Sequence, residues 1–198
     1  MLVVMDLNGT LLHRPNKRNP SRFVARPHAR AFLTYCIDTF HVVIWSSARE
    51  ANVAAMCADL LSPAQRSRVL AVWGRSRFGL CPADFNRRVQ CYKRLTSVWA
   101  DPAVAAAHPT GGAWDQGNTV LVDDSAEKAR SEPFNAVQIP EFVGGGGGDG
   151  AAAAAAAGEA GSGDADDALI LPRVHDYLNT LACQQDISMY IRANPFRA

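Results

Sequence analysis

Short apolar runs alternate along the chain with apolar residues at helical spacing. Four runs, LVVM at 2–5, HVVIW at 41–45, TVLV at 119–122 and NAVQI at 135–139, predict strands that are buried on both faces. Strands of this kind, separated by amphipathic helices, are typical of a parallel sheet with helices on both faces. The pattern therefore predicts a Rossmann-like α/β fold.

The segments between the strands carry the helical signal. One apolar stripe follows Pro27, a residue suited to the start of a helix, and another follows the second strand. We also expect a short helix from Ala126 and a closing helix with Pro172 in its first turn. The apolar positions of the three longer helices are Ala29, Phe32, Leu33, Cys36 and Ile37, then Val53, Met56, Cys57, Leu60 and Leu61, and finally Val174, Tyr177, Leu178 and Leu181.

Residues 144–167 differ in composition from the rest of the chain. Their sequence, GGGGGDGAAAAAAAGEAGSGDADD, contains only small residues and acids. Because it offers no large apolar side chain to bury, we predict a disordered insertion in a single domain formed by 1–143 and 168–198. The net charge of the chain, +1, becomes +6 when the five acids of this segment are set aside.

Three polar residues, Asp6, Ser46 and Asp123, come directly after predicted strands. The carboxyl ends of parallel strands meet at one edge of a sheet, where ligands bind, so we expect these side chains to lie together. The first of them has another interpretation, since Asn8-Gly9 between LVVMDL and TLLH is typical of a tight hairpin turn. The strand-helix alternation of the whole chain favours the buried parallel strand.

The residue types at this edge suit a phosphoryl group and a hard divalent cation. Mg²⁺ in proteins prefers one or two carboxylates together with phosphate oxygens and water. Ser46 offers a hydroxyl, Ser47 an amide near the start of a helix at about Ala48, and Lys93 a positive charge. We therefore predict a magnesium and phosphate site at the carboxyl edge of the sheet.

Two groups of basic residues flank this predicted site, and a single acid, Asp84, lies among them. Basic runs are typical of solvated faces, but their position beside one site favours an anionic substrate. The groups are Arg14, Lys17, Arg18, Arg22, Arg26 and Arg30, and Arg75, Arg77, Arg87, Arg88, Lys93 and Arg94.

The motifs in the chain resemble those of the haloacid dehalogenase (HAD) superfamily. DLNGT is similar to its first motif, which is normally Asp-x-Asp-x-Thr, and IWSSA, YKRLTSVW and LVDDS are similar to the second, third and fourth. The form of these motifs, with ARPHARAFL and NAVQIPEF, resembles the RNA polymerase II carboxy-terminal-domain phosphatases and NLI-interacting-factor-like phosphatases. Order and spacing hold over the chain outside the Gly/Ala-rich segment.

This resemblance implies a role for each motif residue. Asp6 would be the nucleophile that forms an aspartyl-phosphate, and Ser46 would hydrogen-bond the phosphate. Lys93 would neutralise the charge of the phosphate and of the nucleophile. Asp123 would hold Mg²⁺ together with Asp6 and the backbone carbonyl of Asn8.

Three neighbouring residues are open to more than one interpretation. Asp124 would orient water on the metal or, alternatively, cap the following helix. Ser125 is expected to be a helix cap, and Thr10 to order the first motif by hydrogen bonds.

The resemblance also predicts a small β insertion, at about 69–90, in place of a large cap. Trp73 and Phe78 would form the core of that insertion or, alternatively, a platform for a bound peptide. Known relatives act mostly on phosphoserine or phosphothreonine in proteins, so a phosphorylated protein or peptide is the expected partner. RNA ends would also suit a basic cleft, but no RNA-binding motif supports them.

Scattered cysteines without a Cys-x-x-Cys pair, and the absence of a signal-like start or a long apolar run, predict an intracellular protein without a membrane partner. Nucleus and cytoplasm both remain open, and we take a monomer as the default.

Asn8 departs from the family pattern. The family has a second Asp there, which protonates the leaving oxygen and then activates water, whereas a carboxamide transfers no proton at neutral pH. The chain is then a slow phosphatase, a pseudophosphatase that binds a phosphorylated partner or acts as a scaffold, or a phosphatase with an introduced substitution. Asn8-Gly9 is also prone to deamidation, which would restore the Asp in a fraction of molecules.

Overall fold

The computed structural model of the chain describes residues 1–16, 19, 22–87, 89–144 and 162–198. Within them, the strands are β1 Leu2–Met5, β2 Leu12–His13, β3 Val24–Ala25, β4 His41–Trp45, β5 Ala71–Trp73, β6 Thr119–Asp123 and β7 Ala136–Gln138. The helices are α1 Ala29–Thr39, α2 Glu50–Leu60, α3 Pro63–Arg66, α4 Pro82–Phe85, α5 Leu95–Trp99, α6 Pro102–Ala106, α7 Ser162–Ala182 and α8 Ile187–Ala193, with 3₁₀ turns at Arg75–Phe78 and Pro133–Asn135.

Five strands form one parallel sheet in the order β5-β4-β1-β6-β7. Strands β1 and β6 bury every side chain because both faces of the sheet are covered. Val3 and Met5 of β1 belong to a core shared with α1, α2, α7 and α8, whereas Leu2 and Val4 face a second core that includes residues of α5 and α6. The predicted Rossmann-like α/β fold is confirmed.

The first strand settles the choice between a hairpin and a parallel sheet. β1 pairs in parallel with β4 and β6, so LVVMDL does not fold back on TLLH. β2 instead pairs antiparallel with β3, across the loop that follows the first motif.

The predicted β insertion at 69–90 is wrong for the described residues. Ala71–Trp73 is the edge strand of the main sheet, pairing with Val43–Trp45, and the remainder of the segment is helical or irregular. Trp73 packs edge-on against Trp45, with ring centroids 5.3 Å apart, which fixes this strand in the sheet. The Arg75 guanidinium then donates to the carbonyl oxygens of Phe85 and Arg87, each at 2.7 Å, and folds the segment onto the domain.

Two helix predictions also need correction. The segment after Ala126 forms consecutive turns with i to i+3 hydrogen bonds, such as Ala129 N–H to Ala126 O at 3.1 Å, rather than a helix. The closing helix begins at Ser162, so Pro172 lies in its interior and not in its first turn. Residues 162–167 of the predicted disordered insertion therefore belong to a helix. Residues 145–161 of that insertion lie outside the described residues.

A buried arginine fixes the early part of α7. Arg26 is 1% exposed, and its Nη2 donates to Pro140 O at 2.5 Å and lies 3.4 Å from Asp167 Oδ1. Its guanidinium carbon also lies 5.2 Å from the centre of the Phe142 ring. A buried guanidinium is stabilised by a counter-charge. The ion pair with Asp167 therefore favours a helix that starts before Pro172.

Two further observations concern the chain as a whole. All five cysteines are free. Among the described residues, no helix combines the length and the apolar character needed to cross a membrane.

We expect Asp167→Asn to lower the free energy of unfolding by about 1–2 kcal/mol, because it leaves the buried Arg26 without its counter-charge. Asp166→Asn is the matched control, since it removes an exposed charge from the same helix and should change stability by less than about 0.5 kcal/mol. Urea unfolding followed by circular dichroism measures both. Equal effects would mean that Arg26 does not depend on the start of α7.

Candidate active site

The two central strands bring Asp6 and Asp123 together. β1 and β6 pair with Met5 opposite Val122, and the Asp6 amide donates to Val122 O at 3.0 Å, so both carboxylates leave the sheet at the same level. Each residue is 1% exposed. Asp6 and Asp123 therefore lie together, as the strand ends predict, and both carboxylates are buried.

Lys93 bridges these two carboxylates. Its Nζ lies 2.7 Å from Asp6 Oδ1 and 2.6 Å from Asp123 Oδ2, and the residue is completely buried. The Lys93 amide donates to Lys128 O at 2.7 Å, which fixes the backbone just before α5. The lysine of the YKRLTSVW motif thus contacts the carboxylates of Asp6 and Asp123, as predicted.

Lys128 is a second cation at the site that the sequence analysis missed. Its Nζ lies 3.2 Å from Asp6 Oδ2, 3.1 Å from Asp123 Oδ1 and 3.2 Å from Asp124 Oδ1. The available signal was the i, i+4 spacing from Asp124. The structure realises this spacing in consecutive turns rather than in a helix.

Burial and mutual charge set the protonation of this cluster. Burial alone would raise the pKa of Asp123, but the ammonium groups of Lys93 and Lys128 outweigh it and hold that pKa below its usual range. Burial raises the pKa of Asp124 to about 6, against the attraction of Lys128. Burial also opposes the charge of Lys128, yet the three carboxylates raise its pKa.

Thr10 and Gly9 order the first motif around Asp124. The Asp124 amide donates to Thr10 Oγ1 at 3.1 Å, and that hydroxyl lies 3.3 Å from Asp124 Oδ1 and 3.5 Å from Asp6 Oδ2. Gly9 has φ +89°, and a Cβ there would lie 2.7 Å from Asp124 Oδ2. Asp124 is followed by turns, so it caps no helix, and Ser125 donates its amide to Asp123 Oδ1 at 2.9 Å.

Ser46 and Ser47 lie beside an open cleft of about 390 Å³. Its lining residues are Asn8, Arg14, Ser46, Ser47, Ala48, Arg75, Val89 and Gln90. The Ser46 amide donates to Trp73 O at 3.0 Å, and its hydroxyl accepts from the Ala48 amide at 3.3 Å. Helix α2 begins at Glu50, two residues later than the predicted Ala48. The hydroxyl and the Ser47 amide are thus placed together at the cleft.

Asn8 lies on the wall of this cleft. Its Oδ1 is buried and accepts no hydrogen bond from any described residue. The amide of Gly9, which would have to attack the Asn8 side chain during deamidation, donates to Leu12 O at 2.8 Å. The folded chain therefore disfavours deamidation at this position.

The basic residues divide into structural and cleft-lining groups. Arg26 is buried against Asp167, Arg30 pairs with Asp59, and Arg77 pairs with Asp101. Arg14 and Arg75 line the cleft, and the Nε and Nη1 atoms of Arg14 have no partner among the described residues. Lys17, Arg18 and Arg88 lie outside the described residues. The predicted concentration of positive charge at the site thus comes mainly from two lysines and two arginines.

Trp73 and Phe78 belong to the core. Trp73 is 5% exposed, and Phe78 is half-buried with its ring centre 5.0 Å from that of Trp45. Phe78 also lines a smaller cavity of about 240 Å³ beside the cleft, which shares Gln90 with it.

The donor atoms suit a divalent cation. Asp6, Asp123 and Asp124 each offer a carboxylate oxygen, and these oxygens lie within 4.8 Å of one another. An oxygen-only donor set with several carboxylates is the type that Mg²⁺ prefers. In the structure one oxygen of each of these carboxylates contacts Lys128, so positive charge is held at this point.

We expect Gly9→Ala to be more damaging than Gly79→Ala. Both glycines have positive φ, +89° and +64°, but a Cβ at Gly79 meets nothing within 4 Å, whereas one at Gly9 meets Asp124. Gly79→Ala should cost about 1–2 kcal/mol of unfolding free energy, and Gly9→Ala at least about 2 kcal/mol more. Urea unfolding of both variants measures the difference; equal costs would contradict the close approach of Gly9 to Asp124.

Comparison with known proteins agrees with the geometry of the site. A model of the NLI interacting factor-like phosphatase family matches residues 1–152, a range that includes all four motifs. The chain is 35% identical over 156 residues to an uncharacterized FCP1 homology domain-containing protein of Schizosaccharomyces pombe, over 72% of this chain and 61% of that protein. The chain thus spans less than two thirds of the length of that relative.

A solved structure has a similar fold. A variant of the fission yeast RNA polymerase II CTD phosphatase Fcp1 bound to beryllium fluoride matches with a TM-score of 0.50 and 14% identity, over 96% of this chain and 54% of that one. A second Fcp1 structure, of the essential RNA polymerase II CTD phosphatase, matches at 0.48 with 14% identity, over 99% and 54%. Sequence motifs, fold and family match agree: the chain belongs to the NLI interacting factor-like phosphatase family.

Proposed function

We propose that the chain is a Mg²⁺-dependent phosphomonoesterase that works through an aspartyl-phosphate on Asp6 and is slow because of Asn8. The observation that carries this proposal is the buried Asp6 carboxylate held by Lys93 beside Asp123. A carboxylate oriented by a lysine, two residues before Asn8 on the wall of a cleft that Ser46 and Ser47 also line, matches the needs of phosphoryl transfer.

In the first step, a carboxylate oxygen of Asp6 would attack phosphorus while the bond from phosphorus to the leaving oxygen breaks. Ser46, through its hydroxyl, and Ser47, through its amide, would hold the phosphoryl oxygens at the cleft, and Lys93 would balance the negative charge. In the second step, water attacks phosphorus, the Asp6–phosphate bond breaks, and the carboxylate and inorganic phosphate are released.

Mg²⁺ would be held by Asp6, Asp123 and the backbone carbonyl of Asn8, with Asp124 beside them. The ion supplies charge neutralisation for a phosphoryl group that approaches a cluster of carboxylates. The three carboxylates within 4.8 Å of one another support this assignment.

Asn8 would limit the rate of both steps. Its carboxamide can donate a hydrogen bond to the leaving oxygen but gives it no proton, so an alkoxide must leave or take its proton from water. Loss of a general acid or base costs about 10²–10⁴-fold in rate. We therefore propose slow turnover with preference for good leaving groups, such as aryl or acyl phosphates.

A phosphorylated protein or peptide is the substrate class that we propose. The cleft is open and carries Arg14, whose Nε and Nη1 atoms have no partner among the described residues and suit an anionic side chain displayed on a chain. The structurally similar Fcp1 is an RNA polymerase II CTD phosphatase, which supports a phosphoprotein over an RNA end. Either nucleus or cytoplasm is compatible with this proposal, and so is a monomer.

A second candidate function is a pseudophosphatase that binds a phosphorylated partner or acts as a scaffold. Asn8 favours it, because the binding groups Ser46, Lys93 and Arg14 remain while the proton-transfer group is replaced. A binding protein of this kind would retain phosphate affinity without turnover.

Hydrolysis of p-nitrophenyl phosphate with Mg²⁺ separates the two functions. We expect the chain to exceed the Asp6→Asn background and Asn8→Asp to be faster than the chain itself by up to about 10²-fold, the low end of the general-acid range, because p-nitrophenolate needs little protonation to leave. Asn19→Asp, an exposed Asn-to-Asp change outside the site, is the matched control and should leave the rate unchanged.

Turnover by Asn8→Asp alone would support the pseudophosphatase. Absence of turnover in both chains, with both folded, would overturn the phosphatase proposal.

The dependence of rate on the leaving group tests the role of Asn8 directly. Across a series of aryl phosphates, we expect the rate of the chain to fall steeply as the pKa of the leaving phenol rises, because nothing protonates the departing oxygen. Asn8→Asp should show a shallower dependence. Equal slopes in the two proteins would mean that position 8 does not act on the leaving group.

A further inference from the structure

The two lysines of the site divide the carboxylate oxygens between them. Lys93 contacts Asp6 Oδ1 and Asp123 Oδ2. Lys128 contacts the other oxygen of each, Asp6 Oδ2 and Asp123 Oδ1, and also Asp124 Oδ1. The oxygens around Lys128 therefore come from the three carboxylates that form the candidate cation cluster.

Lys128 and a divalent cation cannot share these oxygens. Nζ lies 3.1–3.2 Å from each of the three, so an ion bound to them would be almost in contact with the ammonium group. Two cations at such a distance in a buried site repel each other strongly. Lys93 faces no such conflict, because it uses the opposite oxygens of Asp6 and Asp123.

The charge balance of the cluster leads to the same conclusion. Three carboxylates and two ammonium groups leave one net negative charge. Adding a divalent ion while both lysines stay would give a net positive charge in a buried place, whereas exchanging Lys128 for the ion gives neutrality. Buried charges are tolerated when they are balanced, so exchange is the favoured outcome.

The side chain of Lys128 can also move out of the carboxylate cluster. Its side chain is 16% exposed, whereas that of Lys93 is fully buried, and its flexible four-carbon stem can carry the ammonium group into solvent. The backbone need not move, since Lys128 O can keep its 2.7 Å hydrogen bond to the Lys93 amide.

We propose that Lys128 is a tethered cation that occupies the place of the divalent ion in the resting chain, and that Mg²⁺ binds by displacing it. The inference rests on the proposed use of Mg²⁺ at this site. Its consequence is a site that is covered and only partly neutralised by Lys128 until the ion arrives, with Asp6 only 1% exposed beneath the lysine.

The first test is a calorimetric titration of the full chain and of Lys128→Met with Mg²⁺. The variant removes the competing ammonium but keeps the backbone oxygen that holds Lys93. We expect at least about tenfold tighter Mg²⁺ binding, because the site is then always available to the ion. Arg130→Met is the matched control: it removes an exposed cation two residues away, paired with Glu127, and should leave the affinity unchanged.

The second test needs no substitution and follows lysine acylation in the unaltered chain. The sequence has three lysines, so peptide mapping after treatment with an N-hydroxysuccinimide acetate reports each one. We expect Mg²⁺ to increase the modification of Lys128 by about tenfold, as its ammonium moves into solvent. Lys93 should stay protected with and without the ion.

The outcomes distinguish this inference from the proposed function. Tighter binding by Lys128→Met together with metal-dependent exposure of Lys128 supports both. Mg²⁺ binding that neither changes with the substitution nor exposes Lys128 overturns the exchange and leaves the magnesium site standing. Absence of Mg²⁺ binding in both proteins overturns the exchange and the metal part of the proposed function. If Lys128→Met does not fold, the acylation result alone decides.

Discussion

The buried cluster of carboxylates at the carboxyl edge of the sheet is the constraint on which the rest of the site depends. Asp6 and Asp123 are almost completely removed from water, where unpaired carboxylates would be strongly destabilising. Lys93 lies between them with both contacts at hydrogen-bond distance, and Lys128 closes the solvent side. Each ion stabilises the burial of the others, so removing one member leaves an uncompensated charge.

The fold supports this cluster by backbone geometry. Parallel pairing in register puts the ends of β1 and β6 side by side, and the two cores hold these strands rigidly from both faces. Lys93 precedes α5, and Lys128 lies in the turns that follow β6. They are tied to each other by the bond between the Lys93 amide and Lys128 O. A rigid pair of strands and one cross-link between loops thus position four charged groups.

Asn8 changes the chemistry of the site without changing its architecture. The loop that carries it is held by hydrogen bonds of Thr10 with Asp124 and by the positive φ of Gly9, neither of which requires a carboxylate at position 8. We propose that such a site still binds a phosphoryl group. Proton transfer is lost at one position only, and this is why slow catalysis and pure binding remain the two candidate functions.

The sequence by itself determined the α/β class, the central strands and the residues that end them. Apolar runs such as LVVM bury both faces of a strand, and a strand end fixes where Asp6 or Asp123 must emerge. Tertiary structure decided what these local patterns do not encode. Trp73 lies at the edge of the main sheet because its strand pairs with β4. Helix α7 begins before Pro172, where Asp167 pairs with the buried Arg26. Lys128 reaches Asp123 and Asp124 through the turns that follow β6, but it reaches Asp6 only because β1 pairs with β6, a contact that spacing along the chain does not encode.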